Sequence, residues 1–137
     1  KTIPKFKPNV LSDKEEWQQW QKKGDAVLHI ELRKWADILL IAPLSANSLA
    51  KLNAGQCDNL LTSICRAWDF KKPILIAPAM NTLMWEHPLT KTQLKTLKKW
   101  GYQIIKPISK VLACGDDGMG AMAEPAAINT LTKKSFT

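Results

Sequence analysis

Two short and wholly apolar runs constrain the fold of this chain more than any other feature. Residues 38–42 (ILLIA) and 74–77 (ILIA) are each followed by a proline, and helical patterns flank both runs. A strand that is apolar on both faces is typical of a parallel sheet covered by helices, whereas strands of antiparallel sheets usually alternate apolar and polar side chains. We therefore expect both runs to be buried parallel strands, joined by right-handed crossovers.

Helix signals surround these strands. Ser12 and Glu15 have the spacing of a capping box, and Pro88 and Gly101 bracket a helix over residues 89–100. The other predicted elements are helices at 12–22, 29–35, 45–51 and 58–68, a third strand at 102–105, and a helix beginning at Pro125. Together they predict a single α/β domain with an open, three-layer, flavodoxin- or Rossmann-like parallel sheet.

The predicted sheet is thin for this class of fold. Its three strands fall short of the roughly four to six that such sheets usually contain. No glycine-rich phosphate loop follows an early strand, and residues 1–11 read as an extended, lysine-rich lead-in. We therefore expect that the chain begins partway into its domain, after the first strand or strands and the phosphate loop.

Composition narrows the possible functions. The chain has 137 residues, of which 45% are hydrophobic and 23% charged, so the sequence predicts a folded domain. The net charge of +8 would suit an anionic partner. Only Arg33 and Arg66 are arginines among the 20 basic residues, which argues against nucleic acid because base readout favours arginine. We find no membrane span, signal peptide, CxxC pair or metal-ligand pattern, and we expect a cytoplasmic protein.

Polar side chains follow both apolar strands. In parallel α/β sheets the ligand lies beyond the carboxyl ends of the strands. Residues 42–47 (APLSAN) and 77–81 (APAMN) lead away from those ends. Ser45 or Asn47 can cap the helix that follows the first strand, and Asn81 follows the second. The candidate site is therefore this edge of the sheet.

Five segments of the sequence resemble a known family when they are taken together. They are residues 28–32 (LHIEL), 42–47 (APLSAN), 57–61 (CDNLL), 78–85 (PAMNTLMW) and 113–116 (ACGD). The segment 78–85 is long and specific, whereas each of the others is weak alone. Over residues 27–124 the chain resembles the homo-oligomeric flavin-containing cysteine decarboxylases, and within them the phosphopantothenoylcysteine decarboxylases of coenzyme A biosynthesis.

The resemblance implies an FMN enzyme, typically a trimer with the flavin at a subunit interface. Its reaction would convert 4'-phosphopantothenoylcysteine to 4'-phosphopantetheine and CO2. The resemblance makes His29 and Cys114 catalytic, and it makes Asn81 the ligand of the substrate carboxylate. It further implies flavin contacts at Ser45, Ala46, Asn47, Ser48 and Ala79, and a mobile flap at residues 111–124 with substrate contacts at Val111, Ala113 and Met122. Met84, beside Asn81, is a further candidate ligand contact.

The chemistry explains these residue types. An N-acylated cysteine cannot form a Schiff base, so its thiol must be oxidised to a thioaldehyde before CO2 can leave, and the resulting enethiolate must then be reduced. His29 suits the role of base because imidazole titrates near neutral pH. Cys114 suits the final proton donor because a thiol can be tuned towards neutral pH.

Parts of this sequence are also compatible with other functions. A non-catalytic relative that inhibits a protein phosphatase would share the fold, but the presence of His29, Asn81 and Cys114 favours an enzyme. A peptide-cysteine decarboxylase would use the same chemistry on another substrate. A hydrolase built on Cys114, His29 and Asp116 lacks a nucleophile-elbow motif.

We expect Cys57 and Cys65, at predicted helical positions, to be structural, and we assign no role to His87.

Overall fold

The computed structural model describes residues 10–111, 115 and 117–136. The helices are α1 (Asp13–Gln19), α2 (Leu28–Trp35), α3 (Ala46–Ala54), α4 (Leu60–Arg66), α5 (Thr82–Glu86), α6 (Pro88–Trp100) and α7 (Pro125–Phe136). The strands are β1 (Leu39–Leu44), β2 (Ile74–Pro78), β3 (Gln103–Ile104), β4 (Ile108–Val111) and β5 (Asp117–Ala121). No helix in the described part of the chain is long and apolar enough to cross a membrane.

The three strands β1, β2 and β3 form a parallel sheet in that order. Leu39 pairs with Ile74, and Leu75 pairs with Gln103. The helices α3 and α4 connect β1 to β2, and α6 follows α5 in the connection from β2 to β3. This arrangement confirms the predicted parallel α/β fold and both of the apolar strands.

Apolar side chains fill both sides of β2. Ile74 and Ile76 belong to the larger core, which they share with side chains of α3, α4 and α6. Leu75 and Ala77 point the other way and pack with Ile128 of α7. All five residues of β2 are buried. The sheet therefore lies between two helical layers, as the sequence predicts.

Strand β1 differs from the expectation that both of its faces are buried. Ile41 and Leu44 are buried, whereas Leu40 and Ala42 are exposed. β1 is the edge strand of the sheet in the described residues, and the core beneath α7 contains side chains of β2 but none of β1. One face of β1 therefore carries apolar side chains to the surface.

Two helices are shorter than predicted. α1 ends at Gln19 rather than at residue 22, because Trp20 already has an extended backbone conformation. α4 spans Leu60–Arg66 rather than residues 58–68. Its start is set by Asn59, whose side-chain oxygen accepts the N–H of Thr62 at 2.8 Å and so caps the helix.

The sequence did not predict the hairpin of β4 and β5 or the short helix α5. The two strands are antiparallel, and Val111 pairs with Asp117 across them. They include part of the predicted flap at residues 111–124. Residues 112–114 and 116 of that flap lie outside the described residues.

Candidate active site

The carboxyl ends of β1 and β2 lie side by side, as predicted. Leu44 pairs with Pro78, and the N–H of Ala79 donates a 3.0 Å hydrogen bond to the carbonyl oxygen of Leu44. α3 begins at the same edge, where the side chain of Ser45 accepts the N–H of Ser48 at 3.1 Å. The two segments that follow the strands are thus joined at the start of a helix.

The first turn of α3 forms a patch of small and polar side chains. Ser45 and Asn47 are exposed, and Ala46 and Ser48 are partly buried. The first N–H groups of a helix have no partner within it, and the helix dipole places partial positive charge there. The predicted flavin contacts at residues 45–48 are thus neighbours at the start of α3. Ala79 lies next to them because it is hydrogen-bonded to Leu44, the residue before Ser45.

Asn81 begins the next helix at this edge. Its side-chain oxygen accepts the N–H of Leu83 at 2.9 Å, so Asn81 caps α5. This bond identifies the oxygen end of the amide, while the nitrogen end carries the N–H donors that a carboxylate requires. α5 is a single short helix whose first turn is fixed by the predicted substrate ligand.

A cavity of about 340 Å³ opens beside α5. Ala46 and Ala50 of α3 form one wall, and Met84 forms part of another. Leu83, His87, Leu89, Thr90 and Gln93 complete the lining. This cavity brings Ala46, a predicted flavin contact, together with Met84, a predicted substrate contact.

The hairpin packs against the segment that carries Asn81. The N–H of Met80 donates a 2.9 Å hydrogen bond to the carbonyl oxygen of Gly120. A Cβ atom on Gly120 would collide with the carbonyl oxygen of Met80, and one on Gly118 would lie 2.9 Å from Cγ2 of Thr82. Glycine is therefore required at both positions for β5 to approach this closely.

The other predicted flap contacts have different surroundings. Val111, at the end of β4, is exposed. Met122 is partly buried and packs against the core beneath α7. Ala113 and Cys114 lie outside the described residues.

His29 lies in a second cavity, of about 320 Å³. Glu16, Trp17, Cys57, Ser63, Arg66 and Ala67 line it together with His29. The two cavities share no lining residue. Neither of them brings His29 together with Met84 within one copy of the chain.

Glu16 contacts His29 in two places, and no pattern in the sequence marks Glu16 as a functional residue. One carboxylate oxygen accepts the backbone N–H of His29 at 3.1 Å, and the other contacts the ring nitrogen Nδ1. The side chain of Glu16 is only 9% exposed, against 25% for His29. The two residues are 13 positions apart and on different helices, so no helical spacing predicts this contact.

Comparison with known proteins identifies the family. The model of the Flavoprotein family matches residues 3–137. The chain belongs to the Flavoprotein family. The chain is 59% identical to a phosphopantothenoylcysteine decarboxylase of Oryza sativa subsp. japonica over 124 residues, which are 90% of this chain and 56% of that protein. The chain thus spans little more than half the length of that curated relative.

Two solved structures of similar sequence share the fold. One is a cysteine-to-serine mutant of PPC decarboxylase complexed with pantothenoylaminoethenethiol, with a TM-score of 0.89 and 57% identity over 90% of this chain and 68% of that one. The other is the FMN binding protein AtHal3, with a TM-score of 0.84 and 58% identity over 90% and 67% of the two chains. These likenesses confirm the flavodoxin-like, three-layer fold of this Flavoprotein family member.

The cysteines of this Flavoprotein family chain have distinct environments. Cys65 is buried in the core, and burial raises the pKa of its thiol to about 12, so it is protonated at neutral pH. Cys57 is exposed and lies in the non-helical segment between α3 and α4, so the prediction of a helical position is wrong for this residue. Among residues 10–111, 115 and 117–136, no cluster of His, Cys, Asp and Glu side chains could hold a metal ion.

Proposed function

We propose that this chain belongs to an FMN-dependent phosphopantothenoylcysteine decarboxylase of coenzyme A biosynthesis. The observation that carries the proposal is the assembly of three features at one edge of the sheet: the first turn of α3, the Asn81 segment and the hairpin docked on it. The decarboxylase of Oryza sativa and the solved PPC decarboxylase support it through their sequence identity of nearly 60%.

The residues at this edge fit FMN. Ala46 and Ala79 have small side chains, which leave room for a flat ring system. The exposed face of β1 beside them is apolar, as the faces of such a ring are. Ser45, Asn47 and Ser48 offer hydroxyl and amide groups beside the N–H groups at the start of α3. FMN bound here would supply the electron transfers that oxidise the substrate thiol and later reduce the enethiolate.

Asn81 would orient the substrate carboxylate. Its amide can donate hydrogen bonds to the carboxylate without bringing a full positive charge to it. A full positive charge would stabilise the carboxylate and so oppose the loss of CO2. Met84 and the predicted flap contacts Val111, Ala113 and Met122 would enclose the substrate and exclude water.

His29 and Cys114 would move the protons. We assign to His29 the base that acts while the substrate thiol is oxidised and CO2 is lost. We assign to Cys114 the acid that protonates the substrate carbon as the enethiolate is reduced. Both assignments follow from the resemblance of residues 28–32 and 113–116 to the decarboxylase family.

We also propose a homotrimer with shared active sites in the cytoplasm. His29 and Met84 line separate cavities, so a second copy of the chain would complete each site. Leu83, Met84 and Leu89 lie beside the Asn81 segment and are 74%, 50% and 52% exposed, which is typical of apolar surface that becomes buried in an assembly. The unpaired thiols of Cys57 and Cys65 fit a reducing compartment.

Flavin binding tests the proposal. The visible absorption spectrum of the purified protein is recorded before and after addition of FMN and desalting. We expect retained flavin bands, and we expect Ala46→Trp to abolish them because the larger side chain fills the patch. Ala54→Trp, at the exposed far end of α3, is the matched control and retains flavin. Failure of both this chain and a version extended at its N-terminus to retain flavin would contradict the proposal.

A further inference from the structure

We propose that Glu16 is the positioning residue of His29. Its carboxylate holds the imidazole ring with the proton on Nδ1, so that Nε2 is the atom that accepts a proton in the reaction. The consequence for catalysis rests on the proposed function, since it takes His29 as the base. The orientation of the ring and its tautomer do not depend on that function.

The backbone contact fixes where the carboxylate lies. Val27 is the N-cap of α2 and makes no side-chain hydrogen bond to the helix. The N–H of His29 is one of the first amides of this helix, and such amides have no partner within the helix. Glu16 accepts this N–H at 3.1 Å and thereby caps α2 from α1. The same carboxylate is then held beside the ring of the residue that it caps.

The second contact determines the tautomer. A neutral imidazole has one nitrogen that donates and one that accepts, whereas an ionised carboxylate only accepts. Nδ1 of His29 contacts a carboxylate oxygen of Glu16, so Nδ1 is the donor and Nε2 carries the lone pair. Because the side chain of Glu16 is 9% exposed, water competes little for this bond.

The chain contains an internal reference for this assignment. His87, the only other histidine, caps α6 by accepting the N–H of Leu89 at Nδ1, at 3.1 Å. Its proton therefore belongs on Nε2, the opposite tautomer. The two histidines should differ in any measurement that distinguishes the ring nitrogens.

Glu31 provides a matched control substitution. It lies on the same helix as His29 and in its first turn, so it affects the helix dipole in a similar way. Its side chain is 34% exposed and faces Lys34 at 3.5 Å rather than His29. Glu31→Met and Glu16→Met both remove a carboxylate, but only Glu16→Met removes the partner of the imidazole.

The tautomers are measured by long-range 1H–15N NMR correlation on 15N-labelled protein at about pH 8. His29→Asn assigns the signals. We expect Nδ1–H at His29 and Nε2–H at His87. We expect Glu16→Met to move His29 towards Nε2–H and Glu31→Met to leave it unchanged. An Nε2–H tautomer of His29 in the unsubstituted protein overturns the proposal, whether or not any variant folds.

Kinetics of the FMN-loaded protein separate this inference from the proposed function. Glu16→Met is expected to lower kcat for CO2 release roughly tenfold to a hundredfold with little change in KM. Loss of the hydrogen-bond partner of a metal-ligating histidine typically lowers activity by a similar factor. Glu31→Met should keep the full rate. If His29→Asn abolishes CO2 release while Glu16→Met retains it, the positioning role is wrong and the proposed function stands. Normal CO2 release by His29→Asn instead contradicts the role of His29 itself.

Discussion

The backbone N–H of Met80 donates a 2.9 Å hydrogen bond to the carbonyl oxygen of Gly120. This bond joins the second strand of the hairpin to the residue that precedes Asn81. The predicted flap and the predicted carboxylate ligand therefore share one backbone connection. A Cβ atom at position 120 would collide with the carbonyl oxygen of Met80, so only glycine allows the two segments to come this close.

Substitution of Gly120 by alanine should weaken the fold. Gly120 has φ of +137°, and its Cβ would meet the carbonyl oxygen of Met80. We expect Gly120→Ala to lower the free energy of unfolding by about 1–3 kcal/mol more than the control, as measured by urea denaturation. Gly24→Ala is the control, because Gly24 also has a positive φ, +100°, but no atom within 4 Å of its Cβ position. Equal losses in the two variants would show that the contact is unimportant.

A charge at position 81 should weaken substrate binding. In Asn81→Asp a carboxylate would face the carboxylate of the substrate. The new side chain can still cap α5, because an aspartate oxygen can accept the N–H of Leu83. We expect at least a roughly tenfold rise in the Kd for substrate with unchanged thermal stability, since like charges repel strongly in a partly enclosed site. Unchanged affinity by calorimetry would exclude a direct contact.

Shared active sites can be tested by mixing two impaired variants. His29→Asn and Asn81→Asp each damage a different half of the proposed site. In each mixed trimer about one site in three would combine an intact His29 from one copy with an intact Asn81 from another. We therefore expect co-expression of the two variants to restore part of the activity. No restoration in trimers shown to be mixed would place both residues in the site of a single chain.

The buried thiol should make the protein less stable in alkali. Burial raises the pKa of Cys65 from 9.0 to about 12 and also raises the pKa of Tyr102. Above about pH 9 the unfolded chain releases protons that the folded chain keeps, so the free energy of unfolding falls as pH rises, by at most ~1.4 kcal/mol per pH unit for each group. Cys65→Ala should show a shallower decline between about pH 9 and 10, because in the unfolded chain Cys65 loses its proton at a lower pH than Tyr102 does.

The exposed cysteine provides the comparison for this prediction. Cys57→Ala removes a thiol outside the core and should keep the alkaline decline of the unsubstituted protein. Urea denaturation at several pH values measures all three proteins. An equally steep decline in Cys65→Ala would show that another group is responsible.

The parallel sheet could be predicted because its signals are local. The apolar runs at residues 38–42 and 74–77 need no knowledge of distant partners, and Pro88 and Gly101 mark the ends of α6 by their backbone preferences. The exposed face of β1 could not be predicted in this way. Its burial depends on which elements cover the strand, and an apolar run gives no information about that.

The hairpin and Glu16 escaped prediction for a different reason. β5 contains Gly118 and Gly120, which weaken the alternating pattern of a strand, and both glycines are required by contacts with Met80 and Thr82. The partnership of Glu16 with His29 joins two helices across a turn. No periodic pattern or fixed spacing of residues in the sequence indicates either of these contacts, so they are found only in the folded chain.

Turnover tests the central claim most directly. The protein, loaded with FMN, is incubated with 4'-phosphopantothenoylcysteine, and CO2 and the thiol product are quantified by mass spectrometry. We predict equal amounts of CO2 and 4'-phosphopantetheine from the unsubstituted protein, and no CO2 from His29→Asn that still binds flavin. A protein that binds FMN and this substrate but releases no CO2 would contradict the proposed function.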